Sequence, residues 1–284
     1  MSFEIATSPT LLAMTMFILF TSKNDKYFYY IIIIFQRVNC KPILLIVQIY
    51  IIRNQYEVIN MKKKMKFLIT SGPTRGPIDA IRYITNKSTG RLGTEIAREA
   101  LNRGADVTFI YGKGSIIPDV KDIGEKLYSK LKLIEIRTVS DLIKSINQEL
   151  KDGSYDVVIH SMAVLDYVPD KYISDKVASG KDEWIIRLVK TPKVIKMIKE
   201  IDPDIFLVGF KLEFNKTKEE LVKIAYETLI KSNNDLIIAN NLIDLEKGDH
   251  IAYFIDKEEK VIGVQTGKRN IAKKLIKFIF EELR

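Results

Sequence analysis

Two hydrophobic patterns alternate along the chain from Lys66 onward. Short apolar runs rich in β-branched residues recur: "KFLITS" (66–71), "DVTFIYG" (106–112), 131–136, "YDVVIHSMAV" (155–164), "EWIIRLVK" (183–190), "DIFLVGFKLE" (204–213) and "DLIIANN" (235–241). Such runs predict buried strands. Between them, apolar residues return with helical spacing. Ile96, Ala97, Ala100 and Leu101 share one face of 94–103, which Gly104 stops; Leu142, Ile143 and Ile146 share a face of 140–150. Further helices are expected at 191–201, with Pro192 in the first turn, at 216–231 and at 268–283. "HIAYFID" and "KVIGVQT" flank "KEE" and predict a hairpin. Repeated strand–helix units predict an α/β fold: a Rossmann-like three-layer sandwich with a mostly parallel sheet and a C-terminal β-hairpin.

Residues 1–60 do not share this rhythm. Apolar runs occupy 11–20, 27–35 and 43–52, and clusters such as "YYIIIIF" alternate with neither period. The uncharged stretch 5–22 is near the lower length limit of a membrane span. "MSFE" lacks the positive start of a signal peptide, and no small-residue cleavage site follows. The expected organisation is therefore an apolar extension over 1–60, outside the working protein, and one domain over 61–284. Met61 and Met65 stand as alternative starts just before the first strand. A membrane partner is expected only if 1–60 is a real anchor; otherwise the protein is expected in the cytoplasm.

Composition narrows the chemistry. The single cysteine, Cys40, rules out an internal disulfide, and no cysteine follows Met61, so a thiol nucleophile is excluded from the domain. The formal charge is +9, of which 1–60 contributes +2 (five Lys/Arg against three Asp/Glu), leaving +7 for the domain. That balance suits acidic ligands such as phosphorylated small molecules.

In a doubly wound sheet, ligands bind at the carboxyl ends of the strands. Here those ends are Ser71 with Gly72, Gly112, residues 161–167, residues 209–213, and Asn240 with Asn241. The first is unusual. In "SGPTRGPIDAIRYITNKSTGRLG" (71–93) the glycines depart from G-x-G-x-x-G, which weakens a nicotinamide reading. Gly72 would let the backbone approach a ligand. Ser88 or Thr89 would cap a helix beginning near Gly90, whose free N–H groups favour an anion. The intervening detour holds Asp79, Arg82, Tyr83, Asn86 and Lys87, many hydrogen-bonding groups for a connection.

"ITSGPTRGPIDAIRYITNKSTGRLG" closely resembles the opening motif of phosphopantothenate–cysteine ligases of coenzyme A biosynthesis. "HSMAVLDYVP", "DKVASG", "KTPKVI", "GFKLE" and "DLIIANN" resemble that family's later motifs, in order. The resemblance covers about residues 66–284. It implies the stand-alone form, without the flavoprotein decarboxylase half found fused to many bacterial members, and a homodimer. It further implies 4'-phosphopantothenate, L-cysteine and CTP or ATP as substrates, with Mg²⁺ accompanying the triphosphate. The carboxylate attacks the α-phosphate and expels pyrophosphate; the amine of cysteine then displaces the nucleoside monophosphate. No enzyme nucleophile is required, which suits a domain with no cysteine and two histidines, His160 and His250.

By the resemblance, Asn86 holds the acyl-nucleotidylate carbonyl, and Lys176, in a polar lid over 170–181, neutralises the triphosphate. Gly72, Ser88, Thr89 and Gly90 serve phosphate. Ala163, Val164 and Asp166 line the nucleotide pocket, the first two through backbone groups. Phe210 and Lys211 pack near the base, with Lys231 and Asn240 nearby. Arg82 reaches phosphopantothenate, across a dimer interface as in the family. "FKLE" resembles eukaryotic and some stand-alone relatives, whereas fused bacterial members carry F-A-A-E and favour CTP; both nucleotides stay open. His160 reads better as a satisfied strand-end histidine than as a catalytic base. Two rivals carry different expectations. A short-chain-type NAD(P) oxidoreductase would use the Tyr167–Lys171 spacing on a helix. A nucleic-acid-binding module would exploit the positive charge, but the basic residues are interspersed with acidic ones, so no nucleic-acid partner is expected.

Overall fold

The computed structural model describes residues 15–22, 28–35, 64–180, 182–246 and 248–283. The chain divides into two compact units, Met1–Lys62 and Lys63–Arg284. In the first, β1 (Thr15–Ser22) pairs antiparallel with β2 (Phe28–Phe35). The described part of the stretch considered as a membrane span is thus a strand. Among the described residues no helix is long and apolar enough to cross a membrane.

The second unit opens with β3 (Lys66–Ser71), β4 (Arg75–Pro77), β5 (Tyr83–Thr85), α1 (Arg91–Asn102) and β6 (Asp106–Gly112). Two one-turn helices, α2 (Val120–Ile123) and α3 (Glu125–Tyr128), lead to β7 (Leu131–Ile136), α4 (Val139–Asp152) and β8 (Val157–His160). Then come β9 (Tyr167–Pro169), β10 (Leu188–Lys190), α5 (Val194–Ile201), β11 (Phe206–Glu213) and α6 (Lys218–Ser232). The chain continues through β12 (Leu236–Asn241), α7 (Leu242–Glu246), β13 (Ile251–Ile255), β14 (Val261–Thr266) and α8 (Lys268–Glu282).

Eight strands form the main sheet in the order β14-β13-β12-β11-β8-β3-β6-β7. The six from β12 to β7 are parallel, and β13 and β14 close one edge antiparallel. This is the expected α/β sandwich with its C-terminal hairpin. Strand alternation sorts the core into layers. Phe67 and Ile69 of β3 face α1 and α8, packing with Ile96, Leu101, Leu275 and Ile279. Leu68, between them, faces α4 and α5 with Leu142, Ile146 and Ile198. Leu221, Ala225 and Leu229 of α6 cover Ile237 and Ala239 of β12. Each fully buried aliphatic side chain contributes roughly 1.5–3 kcal/mol of transfer free energy.

Three expected elements are shorter than the hydrophobic pattern implies. "YDVVIHSMAV" is a strand only over β8, because from Ser161 onward the backbone turns to bond the end of β3. "EWIIRLVK" contributes only β10, paired with β9 outside the main sheet. Helix α5 begins at Val194 with Lys193 as its cap, so Pro192 precedes the helix. The buried Thr191 causes this delay: its hydroxyl donates to the Leu165 carbonyl (2.6 Å) and its N–H to the Asp166 carbonyl (2.9 Å), keeping it extended.

Candidate functional site at the β3–β8 switch point

Strands β6 and β7 lie to one side of β3, while β8, β11 and β12 lie to the other. The chain therefore reverses direction across the sheet between β3 and β8, and the crevice opens at their carboxyl ends. Both strands continue past the sheet as a paired turn. The Ala163 N–H donates to the Gly72 carbonyl (2.8 Å), and the Thr74 N–H donates to the Ala163 carbonyl (3.3 Å). The Leu165 N–H donates to the Thr74 hydroxyl (3.0 Å), and Thr85 donates to the Thr74 carbonyl (2.8 Å). The detour of the opening motif is thereby a small hairpin, β4 with β5, anchored on this turn.

Asn86 follows β5 and reaches into the same place. Its Nδ2 donates to the carbonyls of Ala163 (3.1 Å) and Val164 (3.2 Å). Both N–H donors of the side chain are thus engaged, leaving Oδ1 as the group without a protein donor among the described residues. The Ala163 N–H and carbonyl and the Val164 carbonyl, expected to line a nucleotide pocket, are occupied in holding Asn86 and the β3 turn.

The anion end differs from expectation in two details. Gly72 has φ +77°, a conformation that favours glycine. A Cβ there would lie 1.8 Å from the Ser115 hydroxyl oxygen, so the space above Gly72 is filled by Ser115, not kept for a ligand. Neither Ser88 nor Thr89 caps α1. The N-cap is Gly90 in the left-handed conformation, with no side-chain cap. The Thr89 carbonyl instead accepts from Ile116 N–H (2.9 Å), and the Gly90 carbonyl accepts from Ser71 Oγ (2.9 Å). First-turn N–H groups of a helix lack intrahelical partners, and here no side chain takes them, so they are open to an anion.

Arg82 and Lys176 belong to one assembly. The Arg82 Nη1 pairs with Asp79 Oδ2 (2.6 Å) and donates to the Val177 carbonyl (3.2 Å), and its guanidinium stands 5.3 Å from the Trp184 ring centroid. Lys176, next to Val177, is exposed. Burial alone would raise the Asp79 carboxyl; the N–H groups of Ile81, Val177 and Arg82 and the Arg82 guanidinium outweigh it and hold the group at about 2.

The remaining residues are scattered along the strand ends. Exposed Asp166 pairs with Lys193 Nζ at 2.6 Å. Half-buried Phe210 packs on the α1–α8 side of the core, and Lys211 pairs with Glu213 (2.9 Å). Asn240 is buried and donates from Nδ2 to the Ile251 carbonyl (2.7 Å). Lys231 is not beside it. It lies in the last turn of α6, which runs back to the amino ends of the strands, where the Asp235 N–H donates to the Leu207 carbonyl (2.8 Å); its amine pairs with Glu227. His160 is buried, shares a 2.8 Å hydrogen bond with Thr70, and is pushed down to about 4 by burial, as a satisfied strand-end histidine should be. The oxidoreductase rival fails on geometry, since Tyr167 opens strand β9 and no helix carries Tyr167 and Lys171.

A family model described as the DNA/pantothenate metabolism flavoprotein C-terminal domain matches residues 62–283. The chain belongs to this family. The "Coenzyme A biosynthesis bifunctional protein CoaBC" of Thermococcus kodakarensis is 38% identical over 218 residues, covering 77% of this chain and 48% of the relative. The protein of the same description from Escherichia coli K12 is 30% identical over 197 residues, covering 68% and 45%. The chain thus spans about half the length of the curated relatives it matches. Among solved structures, the DNA/pantothenate metabolism flavoprotein from Streptococcus pneumoniae superposes with a TM-score of 0.67 at 36% identity, covering 77% of this chain and 99% of that one. A Cab2 variant in complex with phosphopantothenate-cysteine has the same fold, with a TM-score of 0.64 at 20% identity over 78% of this chain and 87% of that one.

For this member of the pantothenate metabolism flavoprotein C-terminal domain family, motif reading missed several residues that shape the site. Asp79 carries no signal beyond its place in the detour. Ser115 lies in "YGKGS", a stretch that reads as ordinary turn chemistry. Thr74 and Thr191 are long-range hydrogen-bonding partners that no spacing rule connects. Lys193 was legible only as part of a helix start, whereas its partner, Asp166, lies 27 residues earlier.

Proposed function

We propose that this chain is a phosphopantothenate–cysteine ligase of coenzyme A biosynthesis. The observation that carries the reading is Asn86, pinned to the Ala163–Val164 turn beside the uncapped start of α1, at the switch point of the sheet. This sets a polar side chain next to a ready anion site. Membership of the family, and the phosphopantothenate-cysteine held by the Cab2 variant, support the same reading.

In the first step, a carboxylate oxygen of 4'-phosphopantothenate attacks the α-phosphorus of a nucleoside triphosphate, and the bond to the β-phosphate oxygen breaks, releasing pyrophosphate. The N–H groups at the start of α1 and the Lys176 ammonium oppose the charge that develops on phosphate. In the second step, the neutral amine of L-cysteine attacks the acyl carbon, the nucleoside monophosphate departs with the acyl oxygen, and the amine proton passes to water. An amino group near its ordinary value, roughly 8, is partly neutral at physiological pH, so no enzyme base is needed. His160, neutral and bonded to Thr70, remains a structural group. Asn86 orients the second step. The resemblance implies that Asn86 holds the acyl carbonyl, but its donors are held by two protein carbonyls; Oδ1 instead accepts from the incoming amine and aims it at the acyl carbon. Catalysis here is alignment and countercharge rather than covalent attack by a side chain.

Asp166, neutralised by Lys193, and Phe210 border the nucleotide, with Lys211 and Asn240 behind them. Mg²⁺ enters with the triphosphate. The ion is carried by phosphate oxygens, as a triphosphate-bound Mg²⁺ ordinarily is. CTP and ATP are both candidate donors. A homodimer is supported by apolar side chains that stand exposed around β9, β10 and the detour, including Ile81, Tyr167, Tyr172 and Ile185. Arg82 then contacts phosphopantothenate from this face. The reaction is cytoplasmic.

Pyrophosphate release by the full chain, measured separately with CTP and ATP, tests the proposal. Release should require phosphopantothenate and Mg²⁺ and should not require cysteine. Release without the acid, or with neither nucleotide, would overturn it.

A further inference from the structure

We propose that Asp79 is a positioning residue for Lys176, holding the lysine loop against the turn between β4 and β5. The proposal rests on the ligase reading through the role given to Lys176. Between β9 and β10, the described residues from Asp170 to Arg187 form no helix or strand. Three hydrogen bonds and one ring contact tie this run to the turn between β4 and β5. The Ile173 N–H donates to the Ile78 carbonyl (3.0 Å). Val177 is gripped on both sides of its backbone: its N–H donates to Asp79 Oδ2 (3.2 Å), and its carbonyl accepts from Arg82 Nη1 (3.2 Å). Trp184 lies under the Arg82 guanidinium.

Asp79 is the hub of these contacts. Its Oδ1 accepts from the N–H groups of Ile81 (2.9 Å) and Arg82 (2.7 Å), which fixes the carboxylate on its own turn. Its Oδ2 then holds both the Arg82 guanidinium (2.6 Å) and the Val177 N–H. A carboxylate with two oxygens and four donors is fully employed. Its side chain has no exposed surface, so it cannot touch a substrate. It acts on the residue before Val177. Fixing Val177 fixes the start of the Lys176 side chain, leaving only the flexible stem to adjust to phosphate. Without the clamp, the loop must be ordered anew at each turnover, at the cost of its backbone entropy. Asp79 stays ionised throughout the physiological range, so the clamp is constitutive and not a pH switch.

Two variants of the full chain test this, Asp79→Ala and Asp79→Asn, each checked for an unchanged fold by circular dichroism. The first readout is independent of activity: the rate of tryptic cleavage after Lys176, followed by mass spectrometry. Both variants should be cut faster than the parent there, Asp79→Ala more so, because Asn keeps one acceptor oxygen for the turn. The second readout is pyrophosphate release. Asp79→Ala should lower kcat by about 10²-fold with little change in KM for the nucleotide, the cost of a misplaced group. At saturating phosphopantothenate, which masks any loss of Arg82 binding, Asp79→Ala combined with Lys176→Ala should be no slower than Lys176→Ala alone. Unchanged cleavage, or losses that add in the double variant, would overturn the proposal. If the parent itself released no pyrophosphate, the ligase reading would fail, while the cleavage rates would still report on the clamp.

Discussion

Asn86 and Lys176 divide the proposed reaction between them. Replacing Asn86 by Asp removes both donors that hold the side chain against the Ala163 and Val164 carbonyls and sets a negative charge facing them. Asn86→Asp should still release pyrophosphate but lose amide formation, by about 10²-fold or more; paired assays of pyrophosphate and of phosphopantothenoylcysteine check this. Lys176→Ala should show the opposite pattern, slowing pyrophosphate release about 10²- to 10³-fold. The histidines act on stability instead. His160 is held down to about 4 by burial, against roughly 6.5 when unfolded, so the unfolded chain takes up the proton first as pH falls. Stability is therefore full above about 7 and declines between 6.5 and 4, with roughly 2 kcal/mol from His160 lost by pH 5. Burial, followed by the Lys268 charge, pushes His250 to about 4 as well, so it acts in the same direction. Urea unfolding at pH 7.5 and pH 5 should show the decline, and His160→Gln should remove the share due to His160 while that of His250 remains. At this scale the sequence was partly legible. Asn86 and Lys176 stand in motifs, and His160 could be judged from its position at a strand end. The Asp79 clamp could not be read, because every bond it makes to the lysine loop spans more than 90 residues and leaves no local spacing.

Among the elements, the turns at the ends of β3 and β6 decide whether the site forms. Gly112 faces the neighbouring turn so closely that a Cβ would lie 1.9 Å from the Pro73 carbonyl oxygen. At Gly72 the obstacle is a side chain, Ser115. The two glycines should therefore answer differently to rescue. Gly72→Ala costs about 1–3 kcal/mol for its left-handed backbone, plus the clash, and Ser115→Gly should restore the second part. Gly112→Ala meets backbone, and no side-chain trimming should restore it. Thermal unfolding of the single and double variants separates these outcomes. The strands β3, β6 and β7 and the helices α4, α6 and α8 were readable because their apolar spacing agrees with their packing. The end of β8, the start of α5 and most of "EWIIRLVK" were not. There, hydrophobic residues are spent on turns and exposed surface, and hydrogen bonds from Thr191 and Ser161 override the pattern.

The whole domain shows why the fold was easier to read than the site. Alternation of strands and helices is a property of many residues at once, so local misreadings cancel. The crevice depends on a few loops that meet only because the sheet reverses direction between β3 and β8. Assembly belongs to this scale too. If the exposed face around β9 and β10 joins two copies, sedimentation of the full chain should give a dimer, and Ile185→Asp, at a side chain 80% exposed, should shift it toward monomer. The proposed chemistry activates a carboxylate by bonding one of its oxygens to the α-phosphorus of the nucleotide. Phosphopantothenate carrying heavy oxygen at both carboxylate positions is the decisive probe. One heavy oxygen should appear in the nucleoside monophosphate and one in the amide carbonyl; heavy oxygen in inorganic phosphate, with a nucleoside diphosphate as co-product, would contradict it.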